Sequence, residues 1–188
     1  MSLESAIIIA AVNGDKLSPK LSKSSRYKHW LTVEDLKRCY ECATRHGKIF
    51  LIDEKVIPEP PIHENCRCWI EIMNTIKAGT ATINGNNGAD LTLMLKNDFP
   101  DYYILKEEAL TKGWKPGKWL SNFVPEKMII SGRYYNDNQH LPQSVGRVWY
   151  EADINYKSGK RNGQRILWSN DGLIFVTYDH YETFYEIV

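Results

Sequence analysis

The stretch Trp149 to Arg165, W-Y-E-A-D-I-N-Y-K-S-G-K-R-N-G-Q-R, constrains this chain more than any other. Tyr150, Ala152, Ile154 and Tyr156 alternate with Glu151, Asp153 and Asn155, and a period of two predicts a strand with the acids on one face. Lys157-Ser158-Gly159-Lys160 has the residues of a turn. A returning strand through Arg165, Ile166, Leu167 and Trp168 brings Arg161 and Arg165 beside Glu151 and Asp153. Two acids facing two guanidiniums read equally as a functional site or as a surface salt-bridge ladder, which is worth little.

A second segment tips the balance. T-Y-D-H-Y follows a third apolar run, Leu173 to Val176, and sets His180 at a strand end beside Asp179 and Tyr181. A histidine there is ordinarily just solvated. With a glutamate and two arginines it supplies what phosphodiester cleavage by an internal nucleophile requires: a base, an acid and cations for the phosphate.

The pattern E-A-D-I-N-Y-x-S-G-x-R-N-x-x-R-I-L, then S-x-D-x-L-I, then T-x-D-H-Y-x-T-F, resembles the barnase/binase family of small bacterial guanyl-preferring ribonucleases. The resemblance extends upstream through L-P-x-x-x-G-R-x-W (Leu141 to Trp149) to P-D-x-Y-I-x-K-x-E-A (Pro100 to Ala109). It implies an α+β fold, with short N-terminal helices packed on a C-terminal antiparallel sheet of about five strands. It implies RNA as substrate. Glu151 is then the general base on the ribose 2′-hydroxyl, and His180 the general acid for the departing 5′-oxygen. Cleavage gives a 2′,3′-cyclic phosphate, and the two residues exchange roles in its hydrolysis to a 3′-phosphate. Lys106, Arg161 and Arg165 match the phosphate-binding cations, Asp153 an acid that orients the arginines, and Tyr181 an aromatic near base and phosphate. The chemistry takes no cofactor, and DNA, lacking the nucleophile, can at most inhibit. The family also implies a small acidic barstar-like inhibitor as partner, seated on the cationic face.

The base-reading loop departs from the family. Its aromatic-S-N-R-E pattern aligns with Tyr134, Tyr135, Asn136, Asp137 and Asn138, so the discriminating glutamate is replaced by Asn138. Tyr135 to Asn138 remain the substrate-binding candidates, and relaxed base preference is the expectation. Gly132 stands where the family has an Asp, and Lys160 where it has an aromatic.

Net charge is +1, from 24 basic and 23 acidic residues, so no global basic footprint announces nucleic acid and any cationic surface is local. No apolar run is long enough to span a membrane. The N-terminal A-I-I-I-A-A-V, preceded by Glu4 and no basic residue, is a poor signal peptide. Secretion, or delivery into a target cell as a toxin, then implies another route or a longer precursor.

Residues 1 to about 28, with Gly14, Pro19 and several serines, read as a loop or flexible arm. Thr32 to Leu36 read as an N-cap and a short helix. All four cysteines follow: Cys39 and Cys42 as C-x-x-C, Cys66 and Cys68 as C-x-C, with His46 and His63 near them. Three readings stay open: a structural zinc ion on the four thiolates with a histidine able to substitute, two disulfides, or free thiols. C-x-x-C-x-x-x-H-G and P-P-x-H-x-N-C-R-C resemble the C-terminal part of phage Mu F-like minor head proteins, segments that precede toxin domains in polymorphic toxins. The stretch with Gly79 and N-G-N-N-G reads as a linker. The division is therefore 1–78, a Cys-rich unit and linker, and 79–188, the nuclease, with short helices near Asp90 to Asn97, Lys106 to Lys112 and Trp119 to Val124. Two other classes compete: an inactive RNA-binding module, and a capsid-associated structural protein.

Overall fold

The computed structural model describes residues 21, 22 and 25–188, so most of the arm expected over residues 1 to 28 lies outside the described residues. In chain order the elements are β1 (Leu21–Ser22), β2 (Tyr27–Thr32), α1 (Tyr40–Arg45), β3 (Ile49–Leu51), β4 (Cys68–Ile72) and β5 (Thr75–Ile76). Then come α2 (Ala89–Lys96), β6 (Tyr103–Leu105), α3 (Lys106–Thr111) and β7 (Met128–Tyr134). The last four strands are β8 (Trp149–Asp153), β9 (Arg165–Ser169), β10 (Ile174–Thr177) and β11 (Tyr185–Ile187).

The architecture is the expected α+β arrangement. Strands β7 to β11 are consecutive antiparallel neighbours. Among the described residues the sheet has eight strands rather than about five, in the order β1-β5-β11-β10-β9-β8-β7-β6. β6 lies parallel to β7, and β5 parallel to β11. The three additions are two or three residues long, too short for a period of two to show in a sequence.

Alternation along the strands separates two cores. Ile174 and Val176 of β10 join Ile166, Ile129, Ile154 and Trp114, with Leu93 of α2 and Ala109 of α3. Phe175, between them, joins Trp149, Leu167 and Phe184 on the other face. That second core also contains Tyr27 of β2, Ile49 of β3 and Met73, just after β4. β2, β3 and β4 form their own antiparallel sheet, ordered β3-β2-β4. It is tied to the last strand by an ion pair whose carboxylate is buried. Arg26 donates to Glu186 through Nε at 2.9 Å and Nη2 at 2.5 Å, and the Ser25 hydroxyl donates at 2.8 Å. Glu186 has no exposed surface, so these three bonds replace its hydration.

Three local expectations need correction. No helix follows Thr32, which ends β2. The Asp35 carboxylate instead accepts from Arg67 at 2.6 and 2.7 Å and from the Lys37 amide at 2.9 Å, which fixes a turn. The helix starts at Tyr40, with the Cys39 sulfur as cap for the Cys42 amide. Of the helix expected at Trp119 to Val124 there is one 3-10 turn, Leu120–Asn122. The stretch read as a linker is packed: buried Asp90 accepts from the amides of Gly79 and Ala81 at 2.7 and 2.9 Å, and the Ile83 amide donates to Asn155.

Candidate active site

Strand register assembles the site. Asp153 lies opposite Arg165 on β9, within the placement that the returning strand allowed. Arg161 grips the Asp153 carboxylate with both edges of its fork, Nε at 2.7 Å and Nη2 at 2.6 Å. Arg165 Nη1 lies 3.1 Å from the same carboxylate. Asp153 has no exposed surface, so this is a buried ion network and not a surface ladder. Ser131 accepts a further bond from Arg161 at 2.8 Å, and the guanidinium sits 5.9 Å from the centre of the Trp114 ring. Burial works against the Arg161 charge, but Asp153 outweighs it and the pKa is raised. Arg165 donates to the carbonyls of Asn162 and Gln164, both at 2.7 Å. Its buried Nε–H has no partner among the described residues, a donor suited to an incoming anion.

Glu151 stands two residues before Asp153 on β8. A bulge shifts the register of β7 so that Gly132 faces it. The bulge requires φ +91 at Gly132, which only glycine adopts without strain, and no atom lies within 4 Å of where its Cβ would be. The space beside the carboxylate is therefore open. Tyr181 donates to Glu151 Oε2 at 2.5 Å. Burial and that carboxylate both push the Tyr181 phenol up, so it stays a donor at neutral pH. Tyr134 stacks on Tyr181 at 5.3 Å, and burial pushes its own phenol up to about 12. Lys106 opens α3 directly after Leu105, whose row runs through Ile130 to Ala152 beside Glu151.

His180 is exposed and rides a tight loop after β10. It and Tyr181 have φ of 61° and 73°, an unfavourable region for residues with side chains. The loop is over-determined by bonds. The Thr177 hydroxyl and the Thr183 amide both donate to Asp179 at 2.9 Å, and the Tyr181 amide donates to Thr177 at 3.0 Å. The His180 and Tyr181 rings lie 5.0 Å apart.

The base-reading candidates separate into two kinds. Asn136 closes the loop root: its amide donates to the Leu141 carbonyl at 2.8 Å, and its oxygen accepts from the Leu141 amide at 3.0 Å. Tyr135, Asp137 and Asn138 are exposed, with Arg133 over the Tyr135 ring at 5.0 Å. Asp137 and Asn138 line a cleft of about 1250 Å³ together with Asp179, Tyr181 and residues of β2 and β4.

The cysteines form a separate cluster. Cys39, Cys42 and His63 make one group of donors, and Cys42, Cys66 and Cys68 another, each within 4.8 Å. His63 Nε2 lies 3.2 Å from the Cys39 sulfur and 3.1 Å from that of Cys42. Its Nδ1 faces the Glu64 carbonyl at 2.8 Å, which leaves Nε2 free to ligate. The sulfurs of Cys42 and Cys66 are 3.9 Å apart, near the ~3.8 Å edge of a tetrahedral zinc–thiolate site. His46 is not among the donors; its Nδ1 accepts from the Thr32 amide.

Sequence reading missed Ser131, Trp114 and Asn162, which hold the two arginines. Only register could have revealed Ser131, and nothing in the sequence links Trp114 to Arg161.

The profile of a family described as ribonuclease matches residues 77–188. The profile of Phage Mu protein F like proteins matches residues 8–71. A ribonuclease of Heyndrickxia coagulans is 43% identical over 108 residues, which are 57% of this chain and 99% of the relative. A ribonuclease of Bacillus intermedius is also 43% identical over 108 residues, covering 67% of that relative.

Proposed function

The chain belongs to the ribonuclease family, and from that premise we propose that it cleaves single-stranded RNA by attack of the ribose 2′-hydroxyl, as the effector of a toxin. The observation that carries the mechanism is the buried Asp153–Arg161–Arg165 network set beside an accessible Glu151. Glu151 removes the 2′-hydroxyl proton. The new oxygen–phosphorus bond forms as the bond to the 5′-oxygen breaks, and His180 gives that oxygen its proton. Water then opens the 2′,3′-cyclic phosphate, with His180 as base and Glu151 as acid. Arg161, Arg165 and Lys106 hold the phosphate and its added charge, and Asp153 keeps both guanidiniums in place. Tyr181 orients the Glu151 carboxylate. Tyr135, Asp137 and Asn138 read the base from the loop tip, with preference relaxed because Asn138 offers no carboxylate.

The toxin reading rests on the Phage Mu protein F like segment ahead of the nuclease and implies an acidic barstar-like inhibitor for the producer. We assign a structural zinc ion to four donors drawn from Cys39, Cys42, His63, Cys66 and Cys68. It folds the N-terminal unit and takes no part in cleavage.

The test is incubation with a fluorescent RNA in EDTA, with end-group analysis. Cleavage to 2′,3′-cyclic phosphate ends is expected, and Glu151→Gln and His180→Ala each reduce it by about 10²–10⁴-fold. Wild-type turnover in either variant places the active site elsewhere.

A further inference from the structure

The N-terminal unit meets the nuclease at the base-reading loop, and one side chain spans the junction. His140 is the last residue of that loop before fully buried Leu141. Its ring packs edge-on against Phe184 at 6.3 Å. On its other side stands Gly47, from the turn between α1 and β3. A Cβ at Gly47 would lie 3.2 Å from His140 Nε2 and 3.3 Å from its Cδ2. Gly47 is fixed there: its amide donates to the carbonyl of fully buried Trp30 at 2.8 Å. Its φ of +80 and the imidazole at its face are two separate reasons for glycine. Burial holds the His140 imidazole below its ordinary pKa, and hydrogen bonds with the backbones of Tyr181 and His46 oppose that shift. One ring thus touches the loop that reads the base, the loop that carries the general acid, and the Phage Mu protein F like unit.

The loop has little else to hold its tip. Asn136 ties the root to Leu141, and the Gln139 amide donates to the Asn136 carbonyl at 3.0 Å. Asp137, Asn138 and Gln139 are exposed, and Gln139 is itself at φ 56. The position of His140 therefore sets the direction in which Asp137 and Asn138 leave the root.

We propose that His140 is a positioning residue through which the N-terminal unit shapes the base-reading loop and so sets the base preference of the nuclease. This rests on the ribonuclease reading above. The N-terminal unit is then a working wall of the base-reading cleft as well as a carrier, and the same catalytic domain without it would read bases differently.

The experiment measures kcat and KM for the four dinucleotides ApC, CpC, GpC and UpC in full-length wild type, His140→Ala, His140→Gln and Gly47→Val. Gly47→Val perturbs the contact from the opposite wall, and thermal melting confirms that each variant is folded. His140→Ala and Gly47→Val are expected to change the ratio of the best to the worst substrate by about tenfold, chiefly through KM. kcat on the worst substrate stays within a factor of about two, since a contact that only binds the base alters KM. His140→Gln, which keeps a donor, restores part of the wild-type profile. A four-substrate profile unchanged in both His140→Ala and Gly47→Val overturns the proposal, as does an equal fall of kcat on all four. Wild type that cleaves none of them defeats the ribonuclease reading itself, a separate outcome.

Discussion

Asp153→Asn should be the most damaging conservative substitution in the active-site face. The change is nearly isosteric, so packing is preserved and only charge is removed. Asp153 has no exposed surface and accepts two short bonds from Arg161, with Arg165 at 3.1 Å. Without its charge, two guanidiniums remain facing a neutral amide. Removing one partner of a buried pair costs about 3–5 kcal/mol, because the other charge is left uncompensated. Arg161 keeps 21% of its side chain exposed and can recover some hydration, which argues for the lower end; Arg165, at 7%, cannot. A loss of about 3 kcal/mol lowers the melting temperature by about 6–12 °C in a chain of this size. Urea unfolding followed by tryptophan fluorescence measures it, with the slope expected to stay constant. RNA cleavage should fall as well, because the arginines lose their anchor. A stability loss below about 1 kcal/mol would be that of a surface pair, and would refute the view that this network is buried and mutually dependent.

Arg26→Ala leaves buried Glu186 with Ser25 alone; since Arg26 is 66% exposed, the expected cost is about 1–2 kcal/mol by urea titration. A double-mutant cycle with Glu186→Gln should show coupling, and simple additivity would mean the pair does not hold the two parts together. Burial depresses His29 to about 4 and also lowers His46 and His140. A histidine with a folded pKa below its unfolded one binds protons preferentially when unfolded, so stability should fall as pH drops from about 6.5 to about 4. Urea midpoints at pH 7 and 4.5 that coincide would exclude this. The Asp35 and Asp171 carboxylates, both held at about 2 by arginine, contribute their loss only at lower pH. Elemental analysis should find one zinc ion per chain and His63→Ala should weaken its retention, whereas metal-free protein with two disulfides by mass would favour the oxidised alternative.

The legible parts were those with a long period or a dense motif. β8 to β10 could be read because alternation over Tyr150 to Tyr156 assigns faces, a turn and a returning strand follow, and Leu173 to Val176 is a third apolar run; that Arg161 and Arg165 could lie near Glu151 and Asp153 followed from the return. The burial of the Asp153–Arg165 pair was not legible, since period two distinguishes faces without saying which one a neighbouring element covers. Thr32 to Leu36 carried helix-start chemistry, but the Arg67 fork, more than thirty positions away in sequence, takes the Asp35 carboxylate and stabilises a turn instead. The run around Gly79 read as a linker by composition, while its amides are bound by Asp90 from within α2. His63 joined the cysteines because its ring is held by Glu64, a neighbour that sequence alone gives no reason to weigh. Of these, only the Arg67–Asp35 contact is of high sequence separation; the others are local bonds whose geometry composition does not reveal.

The Ser25 and Arg26 bonds to Glu186 join positions 160 and 161 residues apart. Glu186 lies in β11, so this latch cannot close until every strand between it and Arg26 has been made. The N-terminal unit precedes the nuclease in the chain, and its apolar seat is built by Trp149, Leu167 and Phe175 of β8, β9 and β10, but the acid that latches it comes only with β11. Contacts of such separation form late and slowly, because the intervening chain must be ordered before they are rewarded. During synthesis the Tyr27, Ile49 and Met73 surface waits uncovered until β8 to β10 have been made. The order in which the chain appears thus gives an interval in which the base-reading loop lacks its second wall. The time taken to close the latch would then delay the onset of selective cleavage, which makes the rate of folding part of the protein's behaviour.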